Sequence, residues 1–195
     1  MKIKYLLVGL FIILTTKGYS QFDNYIEGYI VKESRDTIIG KLKNMSAEKS
    51  CFKIKFIDSN GNKVKFKDKD VYAYKRGTEV YFKKSYERPI SINNMQGYMK
   101  LIDDGVIKLY KFNYVVRNAG TMNANGVMTG GESSYQQDYY IEKNNNFLLV
   151  RKMGFKRTMA EYFSDNKELA DKISSKALRY KDLKEIIRAY NKRQE

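Results

Sequence analysis

Two hydrophobic periodicities follow each other along this chain of 195 residues. From Asn24 to about Lys152, apolar and polar residues alternate, which predicts β-strands with one buried and one exposed face. In residues 52–56, for example, phenylalanine and isoleucine alternate with lysine. From Thr158 onward the apolar residues recur every three to four positions, which predicts helices.

Turn signals separate the alternating runs, so neighbouring strands are expected to form antiparallel hairpins. The strongest signal is Asn60-Gly61, a dipeptide that favours tight hairpin turns. The other predicted turns lie at residues 34–36, 77, 103–105 and 144–146. Strands that are apolar on one face and lysine-rich on the other predict a sheet with one solvated side. The predicted fold class is therefore mainly β (α+β), an antiparallel sheet or small open barrel of roughly eight to ten strands.

Two C-terminal helices are predicted to pack on this sheet. Asp165, followed three residues later by Glu168, forms a capping-box pattern at the start of the first helix. The second helix shows the i, i+3, i+4, i+7 spacing of an amphipathic stripe. The apolar positions are Leu169, Ile173 and Ala177 in the first helix, and Leu183, Ile186, Ile187 and Tyr190 in the second.

The predicted domain organisation has three parts. Residues 1–20 form a signal peptide, residues 21–157 an antiparallel β domain, and residues 158–195 a helical tail packed on that domain. Within the β domain, residues 117–134 lose the alternation and are rich in Gly, Asn, Ser and Thr. This composition predicts a long flexible loop.

The N-terminal segment has the three-part pattern of a secretory signal peptide. Lys2 and Lys4 precede an apolar run over residues 5–14, and small residues at Gly18 and Ser20 suit cleavage after Ser20. A run of ten residues is shorter than the ~18–20 needed to span a bilayer, which favours cleavage over a membrane anchor. The pattern therefore predicts export to the periplasm or outer membrane, or secretion to the medium, and a mature chain with no transmembrane span.

Composition removes several classes of chemistry. The chain has no histidine and one cysteine, which excludes His-based catalytic triads, His-ligated zinc and an internal disulfide. Its glycines match no phosphate-binding loop. Cys51 is expected to be a small residue at a strand end, and Asp68 and Asp70 are expected to lie in a solvated turn. The sequence thus predicts no catalytic, cofactor-binding or metal-binding residues, and a protein that is not an enzyme.

Charge adds one candidate interaction surface. The chain carries 37 Lys and Arg against 22 Asp and Glu, and cleavage after Ser20 would reduce its net charge from +15 to +12. Five lysines are expected to point outward from two adjacent strands and to contact anions: Lys53, Lys55, Lys63, Lys65 and Lys67. An exported basic sheet would meet anionic lipid or lipopolysaccharide, and nucleic acid is a less favoured partner. The alternative is that these lysines only solubilise the sheet and protect its edge.

Short motifs occur at residues 28–31, 36–42, 70–74, 105–110, 162–165 and 190–191, together with Gly77 and Tyr81. These motifs resemble those of an uncharacterised exported protein family of the Bacteroidota type. The resemblance implies a β-rich cell-envelope protein with a helical tail, and some family members carry an additional outer-membrane β-barrel. Arg35 stands where the family usually has Gly, and Asn166-Lys167 where many members have Cys-Pro. The resemblance implies no catalytic residue.

Three functions follow as hypotheses. The leading one is a non-enzymatic envelope protein, a periplasmic or outer-membrane-associated binding or interaction module with a basic β face. The second is a carboxylate-based enzyme acting on envelope glycans, with residues 117–134 as a lid. The third is an accessory subunit of an outer-membrane barrel complex, whose partner would be an envelope protein.

Overall fold

Ten strands form one open antiparallel sheet in the computed structural model, which describes residues 24–50, 53–86, 95–117 and 120–193. The predicted signal peptide and Cys51 lie outside the described residues. Among the residues described, no helix has the length and apolar character required to cross a membrane.

The strands are named β1 to β12 in chain order and the helices α1 to α4. The strands are β1 Tyr25–Lys32, β2 Thr37–Lys43, β3 Lys53–Asp58, β4 Lys63–Lys67, β5 Val71–Arg76, β6 Glu79–Tyr86, β7 Met95–Asp103, β8 Lys108–Arg117, β9 Thr121–Met122, β10 Met128–Thr129, β11 Ser133–Lys143 and β12 Asn146–Val150. The helices are α1 Ala47–Ser50, α2 Phe155–Tyr162, α3 Lys167–Ser174 and α4 Leu183–Lys192, with 3₁₀ turns at Asp68–Asp70 and Tyr180–Asp182.

The strand order is β12-β11-β8-β7-β6-β5-β1-β2-β3-β4, which leaves β4 and β12 at the two edges. Every predicted hairpin turn joins two strands that pair in this sheet. This arrangement confirms the predicted mainly β fold, and of the two predicted forms it is the open antiparallel sheet. β9 and β10 form a separate two-stranded hairpin.

Buried apolar residues form two clusters on one face of the sheet, one at each end, and a third cluster on the other face. Under β1 to β7, the core contains Ile30, Leu42, Phe56 and Tyr74 together with other buried aromatic residues. At the β8, β11 and β12 end, helices α2 to α4 cover one face, and the other face carries an aromatic cluster around Tyr110. Helices α2 to α4 therefore pack at one end of the sheet.

The helical region differs from the prediction in three details. The two predicted helices are present as α3 and α4, but α2 precedes them and begins at Phe155, three residues before Thr158. The N-cap of α3 is Asn166, whose side chain accepts a hydrogen bond from the Leu169 amide, so the predicted capping role of Asp165 was wrong. α3 also ends at Ser174, before Ala177.

The segment predicted as a long loop contains regular structure. β8 extends to Arg117 and β11 begins at Ser133, and between them lie β9 and β10. The Asn123 side chain accepts hydrogen bonds from the amides of Asn125 and Val127 and thereby forms the turn. Local side-chain hydrogen bonds of this kind leave no hydrophobic period in the sequence, which explains why the alternation did not indicate these strands.

Candidate functional site

The β3–β4 hairpin is held by the side chain of Asp58. Its carboxylate accepts hydrogen bonds from the amides of Asn60 and Asn62 at 2.9 and 2.8 Å and from the Asn62 side chain at 3.0 Å. The side-chain and backbone hydrogen bonds from Asn62 keep the pKa of Asp58 below its ordinary value. Gly61 adopts a φ of 84°, which suits glycine. This turn fixes the register of the two strands that carry the predicted lysines.

The register brings all five predicted lysines onto one face of the hairpin. Lys53 is directly opposite Lys67, and Lys55 is directly opposite Lys65. Lys63 lies on the same face opposite Ile57. Four of these lysines are exposed, Lys55 is half-buried, and none forms an ion pair with a described residue. Like charges directly opposite each other in a sheet are unfavourable, so an anion at this face would relieve repulsion.

Two lysines of the neighbouring strand extend this surface. Lys41 is opposite Ile57, and Lys43 follows on the same side of β2. The sequence prediction missed both residues, although the alternation of residues 40–43 (Gly, Lys, Leu, Lys) carries the signal. Lys41 forms an ion pair with Glu27 at 2.9 Å. We call the seven residues Lys41, Lys43, Lys53, Lys55, Lys63, Lys65 and Lys67 the lysine face.

An exposed apolar residue adjoins the lysine face. Ile39 is on the same side of β2 as Lys41, and 74% of its surface is accessible to solvent. Ile57, which lies between Lys41 and Lys63, is by contrast only 3% exposed. Lysine stems commonly cover apolar residues in this way while the ammonium groups reach water. The surface therefore combines positive charge with one prominent isoleucine.

A cavity of about 450 Å³ lies on the other side of the sheet. Its lining consists of Ser46, Arg76, Tyr81, Asn113, Tyr114, Tyr135, Gln136 and Gln137. Arg76 pairs with Gly28, and Gly28 pairs with Gly40, so these three residues share one face of the sheet. Ile39 and Lys41 are the neighbours of Gly40 along β2 and therefore lie on the other face. Arg76 is therefore on the face opposite to the lysine face.

Arg76 is the charged residue of the cavity and is only 8% exposed. Its guanidinium donates to the Met45 carbonyl and, at 3.4 Å, to the Tyr81 hydroxyl. Glu79 accepts hydrogen bonds from Tyr81 at 2.7 Å and from Lys100 at 2.5 Å, and its carboxylate lies 3.7 Å from the guanidinium. The bonds from Lys100 and Tyr81 lower the pKa of Glu79, whereas burial and the bond to Glu79 raise that of Tyr81 to about 12.

A second group of charged residues is paired inside the structure. Lys84 donates to both carboxylate oxygens of Glu142, at 2.7 and 2.8 Å, and Tyr110 donates to the same carboxylate at 2.7 Å. Burial by itself would raise the pKa of Glu142, but the hydrogen bonds from Lys84 and Tyr110 outweigh burial and lower it. Burial and the bond to Glu142 raise the pKa of Tyr110.

A third network joins the sheet to the helices. Lys143 donates to Asp165 at 2.5 Å and to the Tyr190 hydroxyl at 2.7 Å, and Tyr190 donates to Asp165 at 2.5 Å. The Lys143 and Tyr190 bonds hold the pKa of Asp165 below its usual range. These two networks satisfy their own charges, which is typical of structural side chains.

The described residues contain no group of three or more Asp, Glu or Cys that could hold a metal ion. Asp68 and Asp70 lie in a 3₁₀ turn, as the charged-turn interpretation expected. A second cavity, about 720 Å³ and open to solvent, is lined at the start of α2 by Lys152, Lys156 and Arg157 among others. Neither cavity has an acidic residue in its lining.

Known proteins provide no further guide to this site. The motifs that resemble an exported family of the Bacteroidota type remain a prediction. Comparisons of the chain with protein-family models, with curated proteins and with solved structures gave no match.

Proposed function

We propose that this protein is a non-catalytic binding module of the cell envelope that attaches to a phosphate-bearing anionic surface through the lysine face. The N-terminal signal pattern favours export, and outside the cytoplasm the abundant anionic surfaces are phosphates of lipids and of lipopolysaccharide. The single observation that carries the proposal is the pair of opposed lysines on β3 and β4, Lys53–Lys67 and Lys55–Lys65, without acidic partners among the described residues.

Edge protection and solubility explain this arrangement less well. An edge strand is protected by charge on that strand alone, here β4. Lys53 and Lys55, however, lie on β3, one strand further in, and directly opposite like charges. Solubility would be served equally by acidic side chains or by pairs of opposite charge. Binding of an anion is the function that needs positive charge on both strands.

Ile39 favours a lipid surface over a soluble polyanion. An apolar side chain surrounded by lysines suits the boundary between headgroups and acyl chains, where electrostatic attraction and apolar burial act together. Each Lys near an anionic membrane contributes about 1 kcal/mol, and this contribution is screened by salt.

The test is co-sedimentation of the mature protein with three kinds of vesicle: zwitterionic lipid alone, zwitterionic lipid with anionic phospholipid, and zwitterionic lipid with lipopolysaccharide. We expect the protein to bind one or both kinds of charged vesicle, and this binding should weaken as the salt concentration is raised. Comparison of the phospholipid vesicles with the lipopolysaccharide vesicles shows which source of phosphate the protein binds. Soluble polyphosphate serves as the competitor. Absence of binding to both charged vesicles at low ionic strength would contradict the proposal.

A matched pair of variants separates a local site from general charge. The first variant replaces the five hairpin lysines, Lys53, Lys55, Lys63, Lys65 and Lys67, by Gln. The control replaces five exposed lysines of the helical region, Lys156, Lys167, Lys181, Lys184 and Lys192, by Gln. Both lose five charges, but we expect only the first to weaken vesicle binding, by about a hundredfold or more. An equal loss in both variants would show that net charge, and not the lysine face, attracts the protein.

Ile39→Ser tests the membrane component separately. The substitution leaves every lysine in place, so binding to soluble polyphosphate should be unchanged. Binding to anionic vesicles should weaken by about tenfold, because burial of an isoleucine side chain stabilises by roughly 1.5–3 kcal/mol when complete. Unchanged vesicle binding would indicate an electrostatic contact with no apolar insertion.

A further inference from the structure

The cavity on the face opposite the lysine face carries a positive charge that the described residues do not balance. Arg76 and Lys100 share one carboxylate, that of Glu79. Tyr81 stays protonated at neutral pH and donates a hydrogen bond to Glu79, so it supplies no negative charge. A cation that is nine-tenths buried is costly unless a counter-charge or several acceptors compensate it.

The guanidinium also retains donors for a ligand. Arginine has five N–H groups, and Arg76 makes two hydrogen bonds to described residues, one of them long. Arg76 also forms one ion pair, with Glu79, so further N–H groups remain on a side chain that lines the cavity. A carboxylate is the group that matches the planar fork of arginine in charge and geometry.

The rest of the lining is polar, uncharged and aromatic. Asn113 and Gln137 are direct partners across β8 and β11, and the side chains of both form no hydrogen bond with a described residue. Paired amides of this kind can each donate to and accept from hydroxyl groups. Tyr135, on the same side of β11 as Gln137, is 87% exposed at the cavity, where its ring offers a flat apolar surface.

We propose that this cavity binds a sugar acid, a ring with several hydroxyl groups and one carboxylate. Arg76 binds the carboxylate, Asn113 and Gln137 bind neighbouring hydroxyls, and the Tyr135 ring packs against the C–H face of the sugar. The volume of about 450 Å³ falls within the range of small-ligand sites. Because the cavity and the lysine face lie on opposite sides of the sheet, the two sites can be occupied together.

The experiment is a titration of the mature protein with three probes, followed by amide chemical shifts in NMR spectra. Glucuronate has both the hydroxylated ring and the carboxylate, glucose has the ring alone, and acetate has the carboxylate alone. We expect glucuronate to bind in the millimolar range or tighter, and at least about tenfold more tightly than either partial probe. Equal affinity for glucose and glucuronate, or no binding of glucuronate, would overturn the proposal.

The site is tested with variants of residues other than Arg76, because replacing the buried Arg76 side chain would also disturb folding. Asn113→Ala and Tyr135→Ala change exposed side chains, and each should weaken glucuronate binding by about fivefold to tenfold. Lys176→Gln, an exposed change between α3 and α4, should leave glucuronate affinity unchanged at constant ionic strength. If neither Asn113→Ala nor Tyr135→Ala weakens binding, the site is elsewhere and the proposal fails. This result is independent of the vesicle experiment, because the two tests use different residues and different ligands.

Discussion

Lysines at the two ends of the sheet behave in opposite ways. Toward the β11–β12 end, Lys84 of β6 and Lys143 of β11 have side chains that are each 19% exposed and that pair with Glu142 and Asp165. At the β4 edge, the lysines of the hairpin are mostly exposed, face one another, and have no described acidic partner. The same residue type therefore stabilises the fold at one end and leaves charge uncompensated at the other. Pairing and burial, rather than the number of lysines, distinguish a structural cation from one available to a ligand.

The largest expected loss of stability comes from Asn191, which connects α4 to the β7–β8 turn at the end of the sheet that the helices cover. Its side chain accepts from the Ile107 amide at 2.9 Å and donates to the Ile107 carbonyl at 2.9 Å and to Asp103 at 2.7 Å. Asn191→Ala leaves buried backbone groups without partners and should lower the free energy of unfolding by about 2–4 kcal/mol. Urea denaturation measures the loss, and Asn146→Ala, an exposed change in β12, should be nearly neutral. A loss below about 1 kcal/mol would show that this end does not depend on its polar contacts.

Glu142→Gln removes the counter-charge of a half-buried lysine. Lys84 would remain with a neutral partner, and the free energy of unfolding should fall by about 2 kcal/mol. The double variant Lys84→Met/Glu142→Gln should recover part of this loss, because it removes the unpaired charge as well. Additive losses in the double variant would contradict the interpretation of Lys84 and Glu142 as a coupled pair.

Low pH should reduce the stability that Asp165 and Glu142 provide at the same end of the sheet. Asp165 and Glu142 have folded-state pKa values below their ordinary values of 3.8 and 4.5. A carboxyl group with a lowered pKa binds protons more weakly when folded, so its contribution to stability is present above the ordinary value and is lost as pH falls through the folded value. Urea midpoints between about pH 6 and about pH 3 should decline, and Glu142→Gln should show a shallower decline. Parallel pH profiles for the two proteins would argue against a stabilising role of the Glu142 charge.

The smallest expected change in the free energy of unfolding is an increase, and it concerns the β4 edge of the sheet. Lys65→Glu places a carboxylate directly opposite Lys55 and converts repulsion into attraction. The free energy of unfolding should increase by about 0.5 kcal/mol, while binding to anionic vesicles decreases. Lys181→Glu, an exposed change in the helical region, should alter neither quantity appreciably. A destabilised Lys65→Glu protein would mean that the hairpin lysines have structural roles that their contacts do not reveal.

The prediction of the sheet from sequence depended on two local signals. Alternation in strands and turn residues such as Asn60-Gly61 were sufficient to place the hairpins, because both act between residues near in sequence. The amphipathic stripes of α3 and α4 likewise indicated the helices that pack on the sheet. The capping prediction failed because Asp165 and Asn166 are both good N-cap residues, and Lys143, distant in sequence, pairs with Asp165.

The sequence by itself determined that the chain forms a mainly β fold with C-terminal helices and that the hairpin lysines share one side of two strands. Only the tertiary structure decided which lysines have partners, since Lys84 and Glu142 are 58 residues apart and meet through strand order. It also brought Arg76 together with Asn113, Gln137 and Tyr135 from three strands around one cavity. Such contacts depend on which strands become neighbours in the sheet, and that order is set by long-range packing, which leaves no periodic signal in the sequence.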